Sequence, residues 1–246
     1  TMEGYDGYAF NYFHVINVSS GMGVSLKTND VNLTTMNILP SDVNVSSAYS
    51  GMYKTIMVAN DIIAGMKTST MADGVDKKRI HGEAYFIRAL TYFNLVRLFG
   101  KVSLVTEPVK SYAEAQKPRE EVDKVYAQIL SDLQQAWELL PAKEDKIAGR
   151  PYKYAAKALR AKVYLTMAGN RTATETDYWK LCYEDALDVY KNGGYTLVTP
   201  YKNLWGSEHK NNAESIFEIQ FSSAVNSGRL TETTFPVGHD LMSNIP

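Results

Sequence analysis

The sequence predicts a mainly α fold, a tetratricopeptide-like helical array that carries one long irregular loop and short β-strands. Three observations carry this prediction. Apolar residues recur at spacings of three and four through most of the chain, the period of a helix with a buried stripe. The periodic stretches stop at glycine or proline, as helices do. Small residues recur at Ala84, Ala89, Ala155, Ala158, Ala161 and Ala186, where packed helices approach closely. Paired helices of this length build arrays with a period of ~34 residues. The match is degenerate, since no helix carries the full Trp-Leu-Gly-Tyr pattern of that repeat.

The elements follow in order. Residues 3–17 are a tyrosine-rich first helix, and 18–45 is a polar, irregular loop rich in Asn and Thr. A loop of that length inside a compact domain is usually functional or disordered. The next helix, 46–67, places Tyr49, Tyr53, Ile56, Asn60 and Ile63 on one stripe. Residues 76–99 form a helix with large apolar side chains on nearly every side, stopped by Gly100. A helix in the middle of a stack has neighbours on several flanks and needs such a surface. Arg88 and Arg97 lie among its aromatics and should pair with carboxylates or backbone carbonyls. A short strand at 102–105 follows, and then an amphipathic helix from Arg119 to Leu140, ended by Pro141. Its stripe is Val122, Val125, Tyr126, Ile129, Leu133, Ala136, Trp137 and Leu140. Helices at 152–168 and 177–192 stop at Gly169-Asn170 and Gly193-Gly194, and the alternating "ESIFEIQFS" at 214–222 suits a strand. The chain thus reads as one domain over 1–246, with the loop at 18–45, helical repeats over 46–192 and a strand-and-loop region over 193–246.

Composition narrows the function classes. The 246 residues are 45% hydrophobic and 22% charged, ordinary for a globular protein. A net charge of −1 and a pI near 6.4 leave no basic field for nucleic acid or an anionic membrane surface. Aromatic usage is tilted to tyrosine, 17 against 8 Phe and 3 Trp, which suits half-buried contacts and ligand surfaces alike. Cys182 has no partner in the chain, so no disulfide forms within it, and its place in "YWKLCYEDALDVY" predicts a buried, inert thiol. No run is long and apolar enough to span a membrane. The opening "TMEGYDGYAF" is neither a signal peptide nor a lipoprotein cysteine motif, and the ending "SNIP" suggests truncation.

Catalytic motifs are absent: the sequence holds no GxSxG, no P-loop and no HExxH. "SGMGVS" contains only a lone GxG. His14, His81, His209 and His239 stand far apart, at no metal-ligand spacing, and read as surface or satisfied polar residues. Glu120 and Glu121 are expected in the first turn of a helix, where the dipole favours them. Asn17, Asn32, Asn44 and Asn170 head Asn-x-Ser/Thr triplets that mark polar loops. Trp137 and Trp179 fall on helix stripes and read as core. No enzyme activity, cofactor or metal site is predicted.

Four stretches carry a resemblance. "GEAYFIRALTYFNLVRLFGKVSLVTEPV" resembles the signature of the SusD/RagB family of surface glycan-binding lipoproteins, with Gly82, Glu83, Ala84, Arg88, Ala89, Tyr92, Phe93, Leu95–Gly100 and Thr106–Pro108 in place. "YSGMYKTIMVANDII" (49–63) is similar to the family's preceding helix, with Tyr49 where tryptophan is common. "AAKALRAKVYLTMAGN" (155–170), after Gly149-Arg150, resembles its alanine-rich helix, and "NAESIFEIQFS" (212–222) its Asn-x-Glu strand. The four occur in the family's order and cover nearly the whole chain, which is expected to be the N-terminal half of a longer member, without its signal and lipid-bearing cysteine.

The resemblance implies a non-catalytic, lipid-anchored protein at the surface of the outer membrane. Such a protein captures oligosaccharide and delivers it to a SusC-like TonB-dependent transporter. Sugars need a flat aromatic face to stack on and planar polar groups to bridge hydroxyls. The family's ligand surface lies in loops at one end of the array, and the matching candidates are Asn29, Asp30, Asn32, Asn37 and Asp42 in the 18–45 loop. No Trp, Tyr or Phe falls between residues 14 and 48, so an aromatic platform has to come from elsewhere, with Tyr201 and Trp205 as candidates. Two alternatives stay open: capture of peptide by a member of the same family, and a tetratricopeptide adaptor for protein tails.

Overall fold

The helical periodicity resolves into α1 (Tyr8–Val18), α2 (Val31–Thr34), α3 (Val43–Thr68), α4 (Val75–Phe99), β1 (Val102–Ser103), α5 (Tyr112–Ala115), β2 (Arg119–Glu120), α6 (Val122–Leu139), α7 (Lys153–Gly169) and α8 (Tyr178–Asn192). Short helical turns follow at Tyr201–Leu204 and Ser207–His209. The structure, a computed structural model, describes residues 8–21, 25, 30–142, 147–169, 176–205 and 207–219. The architecture is mainly α, of the tetratricopeptide-like kind. The chain divides into two compact units, Thr1–Thr55 with Phe221–Pro246, and Ile56–Gln220. The division falls within α3, inside the stretch read as helical repeats.

In the unit Ile56–Gln220, α4 packs on α6, α6 on α7 and α7 on α8. Helix α4 buries Phe86, Ala89, Tyr92, Phe93, Leu95 and Val96, and its partner α6 buries Val125, Tyr126, Ile129, Leu133 and Ala136. Each large apolar side chain so buried contributes roughly 1.5–3 kcal/mol. The two helices come very close at Gly82, where an added Cβ would meet the side chains of Leu139 and Leu140 at 3.0 Å. Helix α4 ends at Gly100, whose φ of 68° lies in the left-handed region that glycine enters without a Cβ clash, and whose N–H donates to the Val96 carbonyl at 3.0 Å.

Arg88 solves the problem of a cation inside this packing. Its Nε and Nη2 donate to the two oxygens of Asp132 at 2.8 and 2.6 Å, and Nη1 donates to Asn60 Oδ1 and the Thr106 carbonyl, both at 2.8 Å. Burial works against its charge, but the hydrogen bonds and charge of Asp132 outweigh that and hold its pKa above the ordinary value. Asn60 in turn donates to the Val105 carbonyl at 2.9 Å, and the Tyr92 hydroxyl accepts from the Val105 N–H at 2.7 Å. Strand-free backbone at 105–107 is thereby tied to α3 and α4. Arg97 also finds acceptors, the Phe93 carbonyl at 3.2 Å and Asn94 Oδ1 at 2.6 Å.

A polar seam joins the later helices. Arg160 on α7 donates to both oxygens of Asp185 on α8, at 2.6 and 2.8 Å, and to Gln134 on α6 at 2.6 Å. Lys157 pairs with Asp188 and, with Lys153, lies over the ring of Trp137 at 4.4 and 4.5 Å. The Lys157 hydrogen bond, then that of Asn192, holds the Asp188 carboxyl below its ordinary 3.8. A carboxylate with a depressed folded pKa adds stability above its unfolded pKa and loses it as pH falls through the folded one. The difference in urea midpoint between this chain and Asp188→Asn is therefore expected to persist at neutral pH and to close as pH drops below 3.8. A difference that persists unchanged into acid would show that ionisation of Asp188 plays no part.

Several expectations are corrected. The 18–45 stretch is not irregular throughout: α1 runs to Val18, α2 occupies Val31–Thr34 and α3 begins at Val43. The strand expected at 102–105 is only Val102–Ser103, paired antiparallel with Glu120 and Arg119. Those two residues were expected to open a helix; ladder pairing takes their backbone, so α6 starts at Val122. No ladder forms along 214–219, and 220–222 lie outside the described residues. Instead Phe217 meets the ring of Phe86 on α4 edge-on, centroids 5.1 Å apart. Trp179 is not core but 61% exposed, because α8 turns Asp185 and Val189 inward. Cys182 is half-buried, with its thiol pKa raised by burial.

Candidate functional site

Two groups of residues named from sequence stand in separate units, and each is described by itself. In the unit containing Thr1–Thr55, Asn29 lies outside the described residues. Asp30 is only 1% exposed. Its carboxylate lies 3.2 Å from His14 Nδ1 and accepts hydrogen bonds from Ser25 and, at 2.6 Å, from Asn44 Nδ2. That leaves it an anchor for the segment, with no free face toward solvent. Asn32 Nδ2 donates to Asp42 Oδ1 at 2.7 Å, and the other Asp42 oxygen accepts from the Leu39 N–H at 2.7 Å. These two close the turn 32–42 on itself. Asn37 is exposed, its backbone N–H donating to the Asn32 carbonyl at 2.9 Å.

Sequence reasoning missed what this turn turns outward. Val31, Met36, Ile38, Leu39 and Val43 are all large, apolar and exposed. They follow no helical or strand period, which hid them from a search by periodicity. Met36 adopts a φ of 58°, in the left-handed region uncommon for a side-chain-bearing residue.

In the unit Ile56–Gln220, Tyr201 and Trp205 are 70% and 62% exposed. A short 3-10 turn over Tyr201–Leu204 leads into Trp205, and the two rings pair edge to face with centroids 6.0 Å apart and planes at 72°. Their segment is held from behind: the Val198 N–H donates to Glu214 Oε2 at 3.1 Å and the Thr196 N–H to the Ala213 carbonyl at 3.2 Å. Glu214 belongs to the Asn-x-Glu motif. Two other motifs also meet, since Arg150 donates to Glu83 at 2.7 and 3.0 Å. Such rings offer apolar faces at the water boundary, the surface a sugar or a proline can stack on. Among the described residues no group of three or more His, Cys, Asp or Glu stands close enough to hold a metal ion, and no helix is long and apolar enough to cross a membrane.

A SusD-like family model, described as starch-binding and associating with the outer membrane, matches residues 4–165. A SusD-like protein of Bacteroides ovatus is 30% identical over 87% of this chain and 40% of its own length. SusD-like protein P2 of Formosa agariphila is 30% identical over 83% of this chain and 39% of its own. Among solved structures, one with a xylogluco-oligosaccharide superposes at a TM-score of 0.73 with 27% identity, over 87% of this chain and 44% of that one. A laminarin-binding SusD-like protein superposes at 0.71 with 28% identity, over 87% and 46%. The chain spans about two fifths of the length of the curated relatives it matches. With the Arg88 signature, its four ordered motifs and the family match over most of its length, the chain belongs to the SusD-like family.

Proposed function

We propose that this chain is part of a non-catalytic protein of the outer-membrane surface that captures oligosaccharide and delivers it to a TonB-dependent transporter. The observation that carries the reading is the exposed Tyr201–Trp205 pair, two large aromatic faces held to solvent by a tied-down segment. The relatives with a xylogluco-oligosaccharide and with laminarin binding support it. Binding would rest on stacking plus hydrogen bonds to hydroxyls. A lipid anchor on the longer protein and delivery to a SusC-like partner belong to the same proposal, and co-purification of the transporter from outer membranes tests them.

Affinity electrophoresis through starch, xyloglucan and laminarin tests the capture itself. The chain is expected to be retarded by at least one of them, and Trp205→Ala to weaken that binding about ten-fold, the loss of one stacked ring. Trp179→Ala, an equally exposed tryptophan on α8, is expected to change nothing. No retardation, or retardation indifferent to Trp205, sinks the reading.

A second reading, capture of peptide, is favoured by the exposed aliphatic residues of the 31–43 turn. A peptide mixture retained by the chain, and released on Met36→Ser with Leu39→Ser, would favour it over sugar.

A further inference from the structure

Two helix pairs of the array are clamped in the same way. Arg88 on α4 donates from Nε and Nη2 to the two oxygens of Asp132 on α6, and Arg160 on α7 donates from the same two nitrogens to the two oxygens of Asp185 on α8. The shared clamp makes Asp132 and Asp185 equivalent positions and sets α6 and α8 in register. In that register Trp179 corresponds to Tyr126, Tyr183 to Leu130, Ala186 to Leu133 and Tyr190 to Trp137.

This stripe is covered on one helix and bare on the other. On α6, Tyr126 and Leu133 are buried, and the Trp137 ring meets Tyr154 of the next helix, α7, edge-on at 5.3 Å, with Lys153 and Lys157 over it. On α8, Trp179, Tyr183 and Tyr190 are 61%, 64% and 81% exposed. Residues 179, 183, 186 and 190 are spaced by four, three and four, so they form one face, ~16 Å long at a rise of 1.5 Å per residue. A helix that ends a stacked array carries a polar outer face. The outer face of α8 is aromatic, like the inner face of α6.

We infer that this face of α8 is a docking surface for a further helix of the array, supplied by the longer polypeptide of which this chain is proposed to be part. The inference rests on that proposal and goes beyond it. The order of the array selects this occupant over a separate molecule. Helix α6 is covered by α7, the helix that follows it in the chain, and the chain spans about two fifths of the length of its curated relatives. What α7 presents to α6 gives the chemistry of the occupant. It is an amphipathic helix with an aromatic residue and lysines on its docking side, the aromatic edge-on to a ring of α8 and the ammonium groups over the ring faces.

Radical footprinting read by mass spectrometry, on the 246-residue chain and on the longer protein, tests the inference. Oxidation of Trp179, Tyr183 and Tyr190 is expected to fall severalfold in the longer protein. Tyr183→Lys should lower the urea midpoint of the longer protein and leave that of the 246-residue chain unchanged, since a charge is costly only where the face is covered. Equal oxidation in the two proteins would overturn the inference. Protection of the 246-residue chain that grows with its concentration would mark a second copy as the occupant and overturn it too. So would protection of the longer protein that appears only with its transporter bound, or only with an added starch or laminarin oligosaccharide. Each of these outcomes leaves glycan capture at Trp205 standing, because retardation by glycans is measured independently of Trp179.

Discussion

Asp132→Ala is expected to destabilise the chain by about 3–5 kcal/mol, the cost of leaving a buried guanidinium without its carboxylate. Arg88 and Asp132 are almost fully buried, and the pair is bidentate, so water cannot replace the lost acceptor without opening the contact between α4 and α6. Asn60 and the Thr106 carbonyl would remain as acceptors on Nη1, which is why the chain should weaken and not unfold outright. Urea denaturation followed by far-ultraviolet circular dichroism measures it. The double variant Arg88→Met with Asp132→Leu removes both charges at similar volume and should recover much of the loss. A single variant costing under about 1 kcal/mol would mean that the pair is screened by solvent.

Phe93→Ala is expected to cost about 3–5 kcal/mol, through lost burial and the cavity left behind. Phe93 is 1% exposed on α4, whereas Leu98, five residues along the same helix, is 37% exposed. Leu98→Ala should therefore stay within about 1 kcal/mol of the parent. Equal effects of the two substitutions would show that the last turns of α4 are packed differently from the structure described above.

Helix content, helix ends and the pairing of Arg88 were legible in the sequence for one reason. The 3.6-residue period and the glycine and proline stops act locally, and a cation amid aromatics has few ways to be satisfied. Element ends agree to within a few residues for α4, α7 and α8, where a glycine follows the helix or closes it. The misses are those where a distant partner decides. Arg119 and Glu120 were read as helix because their neighbours are periodic, but β1 takes their backbone. Phe217 was read as strand, but its ring is taken by Phe86. Trp179 lies on a helix as periodic as the others, yet its side of α8 has no described neighbour to bury it.

The candidate surface divides the same way. The family resemblance, with the groups a sugar needs, pointed to Asn29, Asp30, Asn32, Asn37 and Asp42 as polar contacts and to Tyr201 and Trp205 as stacking groups, since those side chains can bridge hydroxyls or lie flat on a sugar. Which of them faces water is a long-range property. Asp30 is drawn in by His14 and Asn44, residues sixteen and fourteen positions away, and Asn32 and Asp42 satisfy each other. By itself the sequence determined the helical class and the residue types able to bind sugar, because these depend on local period and composition, while four motifs in order carried the family resemblance. Only the tertiary structure decided that Asp30 is an anchor, that aliphatic side chains on the 31–43 turn face outward, and that the Tyr201 and Trp205 rings are exposed and edge to face, because burial depends on which groups the folded chain brings together.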